Sequence, residues 1–232
     1  MTFRTDALAD IERDVVACRA CPRLVAWRED VAREKVKRHR DCDYWARPVP
    51  GFGDPQARVM IVGLAPGAHG SNRTGRMFTG DASGSFLYPA LHRAGFASQP
   101  DARDRGDGLT LTDLYITAAA RCAPPDNKPS NDELARCRPF LVREWKALKQ
   151  LRVVLCLGRV AHDAVLAIMR EGGVASATAS RLPFAHGAVH RTEGWPAIVD
   201  SYHVSQQNTA TGRLTAAMFD DVLERAKGLA GS

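Results

Sequence analysis

From Ala57 to Val62 the chain reads as a short β-branched apolar run bounded by Pro55 and Gly63, the pattern of a buried strand. A long loop punctuated by Gly63, Gly67, Gly70, Gly75, Gly80 and Gly84 follows. Phe86, Leu87, Ala90 and Leu91 then recur at helical spacing, so a helix is predicted to open near Ser83. Upstream, Leu8, Ile11, Val15, Leu24 and Trp27 mark an opening helix interrupted at Cys21-Pro22, where proline can begin a new turn. Downstream, Leu111–Ala120 predicts a second strand running into a proline-rich loop, Arg121–Pro129. Ser130 and Glu133 form a capping box that opens an amphipathic helix ending near Lys149, with Leu134, Cys137, Leu141, Trp145 and Leu148 on one face. Arg152–Gly158 is a third strand and Val160–Arg170 a helix. Trp195–Tyr202 is a fourth strand, and a last helix turns Leu214, Met218, Phe219 and Val222 inward.

Strands alternating with helices predict one three-layer α/β domain over residues 1–232, a central four-stranded parallel sheet with helices on both faces. Residues 1–50 form its helical N-terminal segment. Asp41–Asp54 reads as a connecting loop. Val174–Glu193 has little pattern and reads as a mobile insertion or hairpin, with His186 and His190 at its surface. The loops after the first, second and fourth strands hold most of the suggestive polar residues, and on a parallel sheet they converge at one edge, where such folds bind ligands.

Composition changes the picture little. With 232 residues, 45% hydrophobic and 25% charged, the chain has enough material for a sizeable core, and no apolar run approaches a membrane span. The polar opening Met1–Asp6 lacks the apolar core of a signal peptide, so a cytoplasmic protein is expected. A monomer is expected as well. The net charge of +6 permits an anionic partner such as nucleic acid. The basic run Arg33–Arg40 is read as a solvated face rather than a phosphate contact. Six cysteines in a cytosolic chain argue for metal or redox use rather than disulfides. Cys18 and Cys21 make a CxxC pair, Cys122 and Cys137 a wider one; Cys156 lies in an apolar strand, and Cys42 stands alone. Four thiolates can hold either zinc or an iron–sulphur cluster, and spacing alone does not decide.

Taken together, Gly63-Leu64-Ala65-Pro66-Gly67, Asn72–Asp81, the Cys122–Cys137 segment and His203–Thr209 resemble the uracil-DNA glycosylase superfamily. The closest resemblance is to the iron–sulphur family 5 (B-type) enzymes of bacteria and archaea, and it covers most of the chain. It implies a repair glycosylase that flips a deaminated base out of single- or double-stranded DNA and hydrolyses its glycosidic bond, leaving an abasic site. It also implies a structural [4Fe–4S] cluster on Cys18, Cys21, Cys122 and Cys137. The same resemblance puts Phe78 against the flipped base, with Gly63, Ala65 and Ala118 around it, and makes His203 the donor to the departing base. Asn208 would either contact the base or fix the loop by hydrogen bonds to backbone. Gly67, Ala68, Ser83 and Ser205 would hold phosphates. Arg73 and Arg76 would hold phosphate or close salt bridges within the loop. Gln206 and Gln207 stand where relatives carry an apolar wedge.

Two positions depart from related families. Ala65 stands where they place a carboxylate or amide, so Asp81 and Asn127 are the expected replacements for orienting water, although Asp81 also suits a helix N-cap. Ala118 stands where family 4 enzymes place an asparagine that reads uracil, which predicts a broadened range including hypoxanthine and xanthine. Lys128 is the one lysine in these loops and is assigned to phosphate, so hydrolysis without Schiff-base chemistry is expected. The rival reading is a non-catalytic iron–sulphur DNA-binding or redox-sensing protein.

Overall fold

The computed structural model describes residues 3–231, with side chains from Ala7. The polar opening Met1–Asp6, read above for its lack of a signal core, lies outside the described side chains. In chain order the elements are α1 (Phe3–Ala17), α2 (Pro22–Glu34), β1 (Phe52–Gly53), β2 (Val59–Gly63), α3 (Ser71–Thr74) and α4 (Ala82–Arg93). They continue with β3 (Leu114–Ala118), α5 (Asn131–Ala147), β4 (Val153–Leu157), α6 (Arg159–Glu171), β5 (Val189–His190), β6 (Ala197–Ser201), α7 (Gln206–Ala210) and α8 (Ala216–Gly231).

The sheet has six strands in the order β1-β3-β2-β4-β6-β5. The four inner strands run parallel, as the alternation predicts. The two edge strands, β1 and β5, pair antiparallel and correct the four-stranded expectation. Each is two residues long, too short for a period of two to show, and each lies in a segment read as loop or insertion.

Every residue of β2, β3 and β4 is buried, which is why these strands read as continuous apolar runs. Alternate side chains feed two core layers. Val59, Ile61, Leu114, Ile116 and Leu155 meet Leu87 and Leu91 of α4 and Phe219, Val222 and Leu223 of α8. On the other face, Met60, Val62, Val154 and Ile198 meet Leu141 of α5 and Val165, Leu166 and Ile168 of α6. Each fully buried aliphatic side chain contributes about 1.5–3 kcal/mol.

The local signals explain the helix ends. Pro22 opens α2 behind the N-cap Cys21. The Ser130–Glu133 capping box is formed in both directions and starts α5. Among the described residues, no helix is long and apolar enough to cross a membrane.

The segment read as a mobile insertion or hairpin takes the hairpin form: β5 pairs antiparallel with β6 and fastens the segment to it. The Asp200 N–H donates to Ala188 O at 3.0 Å and the Gly187 N–H to Asp200 O at 2.8 Å. His190, read as a surface residue, is nearly buried, with Nε2 3.3 Å from Asp200 Oδ2. His186 is also no free surface residue: it stacks on Tyr202 with ring centroids 4.9 Å apart, and its Nδ1 accepts the Tyr202 N–H. Histidines in a segment without periodicity carry no sequence sign of burial.

Candidate active site and cysteine centre

The loops at the carboxyl ends of β2, β3 and β6 do converge, around a cleft of about 920 Å³. Ala65, Gly67, Ala68, Phe78, Asp81, Ser83, Asn127, His203 and Ser205 line it, with Gln206 and Gln207 at the start of α7. Gly63, Ala118 and Asn208 stand behind the lining. Gly63 and Ala118 are the last paired residues of β2 and β3, and Ala118 belongs to the core. Asn208 turns its amide inward and donates to His203 O at 2.8 Å, which fixes the loop after β6 and takes the loop-fixing alternative to base contact.

Phe78 has a positive φ of 53° and is mostly buried, yet it borders the cleft. Its ring lies 6.2 Å from that of His203, tilted by 38°. A side chain at Gly63 would come within 2.6 Å of Phe78 Cζ, so the glycine that ends β2 makes room for the ring. The loop is pinned beneath by Tyr88, whose hydroxyl donates to Met77 O at 2.7 Å.

Asp81 is the N-cap of α4: Oδ1 accepts the Ser83 and Gly84 amides at 3.0 and 3.1 Å. Its other oxygen faces the Gly67–Gly70 wall of the cleft. Burial raises its pKa above the usual carboxylate range, against the pull of those two amides and Arg73. Ser83 therefore offers its hydroxyl to a ligand, its amide being engaged. A Cβ at Gly70 would lie 1.9 Å from Asp81 Oδ2. Gly70→Ala should thus displace the carboxylate and cost at least the cap, about 0.5–2 kcal/mol. Thermal unfolding of the double variant with Asp81→Ala checks this, since the Gly70 penalty should largely vanish once the carboxylate is gone.

His203 is partly buried, and among the described residues neither of its ring nitrogens has a hydrogen-bond partner. Burial pulls its pKa down to about 4. It therefore meets a ligand as a neutral imidazole with a free N–H. Asn127 is exposed at the mouth of the cleft with φ 56°.

The two loop arginines take the alternative to phosphate. Arg76 is buried in a two-pronged pair with Asp107, at 2.8 and 2.6 Å. That pair holds the Asp107 carboxyl well below its ordinary range even though burial opposes it. Arg73 donates to the carbonyls of His69 and Gly80. Lys128 is exposed and is not part of the cleft lining. Conversely, Arg38 and His39 of the basic run do line the cleft, with His69 and Asp126. The run is therefore not simply a solvated face, and a run of like charge in sequence says nothing of which loop it will lie beside.

Cys18, Cys21, Cys122 and Cys137 come together from the α1–α2 junction, the loop after β3 and α5. Cys21, Leu24 and Cys122 pack as one buried group, and each thiol lies within electrostatic reach of others in the set. As free thiols three of them resist ionising: burial pushes Cys122 up to about 12 and raises Cys21 and Cys137 as well. The surroundings nevertheless favour negative sulphur. Arg28, almost fully buried, donates from Nη1 to Cys122 Sγ at 2.9 Å, and the Arg121 amide donates to Cys137 Sγ at 3.4 Å. A buried guanidinium aimed at a thiol fits a bound metal–thiolate group, whose sulphurs carry the compensating charge. Behind it Arg121 and Glu144, both fully buried, form a second two-pronged pair at 3.0 and 2.5 Å. Glu144 also accepts from the Thr117 and Tyr115 hydroxyls. Neither buried arginine could be recognised from the sequence, because each sits among residues whose pattern is that of an ordinary helix or loop.

A further buried set joins Cys156, His162 and Asp200, whose ligand atoms lie within 4.8 Å of one another. His162 Nδ1 is 2.9 Å from Asp200 Oδ1, and Nε2 is 2.9 Å from Leu182 O. Both ring nitrogens thus face acceptors inside the fold, and the set fastens α6 and the 182–190 segment to β6.

The sequence has known relatives. The model of the Uracil DNA glycosylase superfamily matches residues 50–227. A type-5 uracil-DNA glycosylase of Thermus thermophilus is 55% identical over 217 residues, 94% of this chain and 95% of that one. The chain belongs to the type-5 uracil-DNA glycosylases of this superfamily. A type-5 enzyme of Mycobacterium leprae is 48% identical over 97% of this chain and 96% of its own length. A type-4 uracil-DNA glycosylase of Archaeoglobus fulgidus is 30% identical over 82% of this chain and 76% of its own. A uracil-DNA glycosylase is a hydrolase of N-glycosidic bonds, and this chain is one by family.

Proposed function

We propose that the cleft at the ends of β2, β3 and β6 receives a deaminated base flipped from DNA and that His203 drives its release. The family assigns uracil excision in DNA repair to this chain. The observation that carries the site assignment is His203: a neutral, unpartnered imidazole beside the Phe78 ring.

Hydrolysis breaks the bond between the sugar C1′ and the base nitrogen. The bonding pair leaves with the base, so negative charge grows on its carbonyl oxygens while the sugar becomes cationic. A fixed N–H aimed at that oxygen stabilises the charge where it develops, and in a partly desolvated cleft it does so without reorganising. Phe78 stacks on the base and holds it in line. The free oxygen of Asp81 orients water and offsets the sugar cation, and Asn127 helps fix that water at the cleft mouth; Ala65 has no group for either task. Water oxygen bonds to C1′, its proton passes to solvent or the departing base, and an abasic sugar remains. Among the described residues no lysine lines the cleft, which supports hydrolysis without an imine to the sugar. The amides of Gly67 and Ala68 and the hydroxyls of Ser83 and Ser205 hold neighbouring phosphates.

The range of bases extends to hypoxanthine and xanthine. With Ala118 in the core and the Asn208 N–H committed to His203 O, recognition rests on shape and stacking rather than on a dedicated side-chain amide. An apolar pocket separates similar ligands by about 10–200-fold, whereas a hydrogen-bonding site reaches about 10⁴–10⁵. Single-turnover excision from matched oligonucleotides containing uracil or hypoxanthine, developed with alkali, should therefore differ by no more than about 200-fold. A preference for uracil of about 10⁴ or more would defeat this reading. No alkali-labile product at all, with binding retained, would favour the DNA-binding alternative.

Cys18, Cys21, Cys122 and Cys137 are proposed to hold a [4Fe–4S] cluster, with Arg28 as its buried counter-charge. When bound, the group supplies a cross-link between the N-terminal helices and the loop after β3, and no step of the hydrolysis requires an electron. Iron and acid-labile sulphide analysis with visible absorbance checks it, a colourless zinc-loaded protein being the contrary result. The protein is further proposed to act as a cytoplasmic monomer.

A further inference from the structure

The basic run is strapped beside the cleft by the segment that follows it. The Trp45 N–H donates to Arg73 O at 2.9 Å and the Ala46 N–H to Asn72 O at 3.1 Å, while the Tyr44 hydroxyl is 3.0 Å from His69 Nδ1. The His39 N–H donates to Val36 O and the Arg40 N–H to Lys37 O, which forms the turn carrying Arg38. Arg33 pairs with Asp30 and Lys35 reaches a backbone carbonyl. Among the described residues, no carboxylate pairs with Lys37, Arg38 or Arg40.

We propose that Arg38 and His39, together with the backbone amides of Gly67 and Ala68, seat a phosphodiester of the DNA strand carrying the base to be excised. This rests on the cleft being the DNA site. All four residues line that cleft, and among the described residues neither amide is used in a hydrogen bond. The wall is also a region of unbalanced positive charge. Burial, then Arg73, Arg38 and His69, lower the His39 pKa; burial, then Arg38 and Arg73, lower that of His69. Of the acids lining the cleft, Asp81 is bonded to its helix amides and Asp126 lies in the loop after β3. An exposed guanidinium, an imidazole and two free amides form a donor set suited to a phosphate.

The test is equilibrium binding of the intact protein to a duplex carrying a tetrahydrofuran abasic analogue, across a salt series. Single-turnover excision of uracil is measured at saturating protein. Arg38→Gln should weaken binding about eightfold near 0.1 M salt and flatten the log–log salt slope by about 0.9, the release of one counterion. Its saturated excision rate should stay within about twofold, because phosphate contacts position rather than react. Arg38→Lys should keep the slope. Arg152→Gln removes an equal exposed charge beside Leu151 and Trp195, away from the cleft, and should change neither. Unchanged affinity and slope in Arg38→Gln would overturn the proposal. So would an equal loss in Arg152→Gln, or a slower saturated rate with affinity intact. His203→Ala is run alongside: full excision by that variant would refute the cleft assignment itself, a result separable from failure of the phosphate seat.

Discussion

His203→Ala should lower the saturated single-turnover rate of uracil excision by about 10²–10³-fold, the usual loss when one preorganised donor to a developing oxyanion is removed. Affinity for the abasic duplex should change only slightly, since the donor acts where charge appears in the transition state. The pH dependence separates this role from that of a charged histidine. The pKa of His203 is about 4 in the fold because burial disfavours the imidazolium. The ring is therefore neutral throughout pH 5–8, and the ratio of wild-type to His203→Gln rates should show no inflection near 6.5. The sign of the stability effect follows from the same shift. Between pH 6.5 and 4 the unfolded chain takes up a proton at this residue that the folded chain does not. The contribution is therefore intact above that window and lost as pH falls through it. A rate ratio that bends near 6.5 would mean that the imidazolium does the work.

Arg121→Ala should destabilise the fold by about 3–5 kcal/mol, the cost of leaving a buried charge without its partner. For a chain of this size that is a fall in melting temperature of roughly 6–20 °C, read by calorimetry or circular dichroism. Glu144 would keep the Thr117 and Tyr115 hydroxyls but lose both guanidinium contacts in a place water does not reach. The neighbouring Cys122 and Cys137 should loosen with it, because the Arg121 amide holds Cys137 Sγ. Replacing the pair together, Arg121→Met with Glu144→Gln, should recover part of the loss, as such pairs are costly to break but not necessarily to replace. A loss below about 1 kcal/mol for Arg121→Ala would show that solvent reaches Glu144.

The contrast between these two residues shows what a sequence discloses. The four inner strands and their intervening helices were legible because burial on both faces writes an unbroken apolar run, and the Ser130–Glu133 box announces its helix. The cleft was legible through loops that must converge on a parallel sheet. What escaped were interactions between residues far apart in sequence. Arg28 reaching Cys122, Arg121 gripping Glu144, and His162 bonded to Asp200 leave no local period. The two-residue edge strands escaped for a different reason, being shorter than any pattern that could reveal them. Arg38 and His39 looked like solvated charge because nothing in a basic run records that Trp45 and Ala46 tie the next turn to the backbone of Asn72 and Arg73. For Gly63, Ala118 and Asn208 the motif located the neighbourhood, but only the fold shows that they stand behind the lining.

The helix α8 packs on β6, β4, β2 and α4, and its Phe219, Val222 and Leu223 complete the core layer behind Phe78 and His203. It also follows every cleft residue in the chain. A ribosome that has synthesised the whole of the cleft, down to Gln207, has therefore not yet delivered the helix that covers one side of the strands presenting it. A chain ending before residue 216 would lack Phe219, Val222 and Leu223, and the strands that present the cleft would keep one apolar face uncovered.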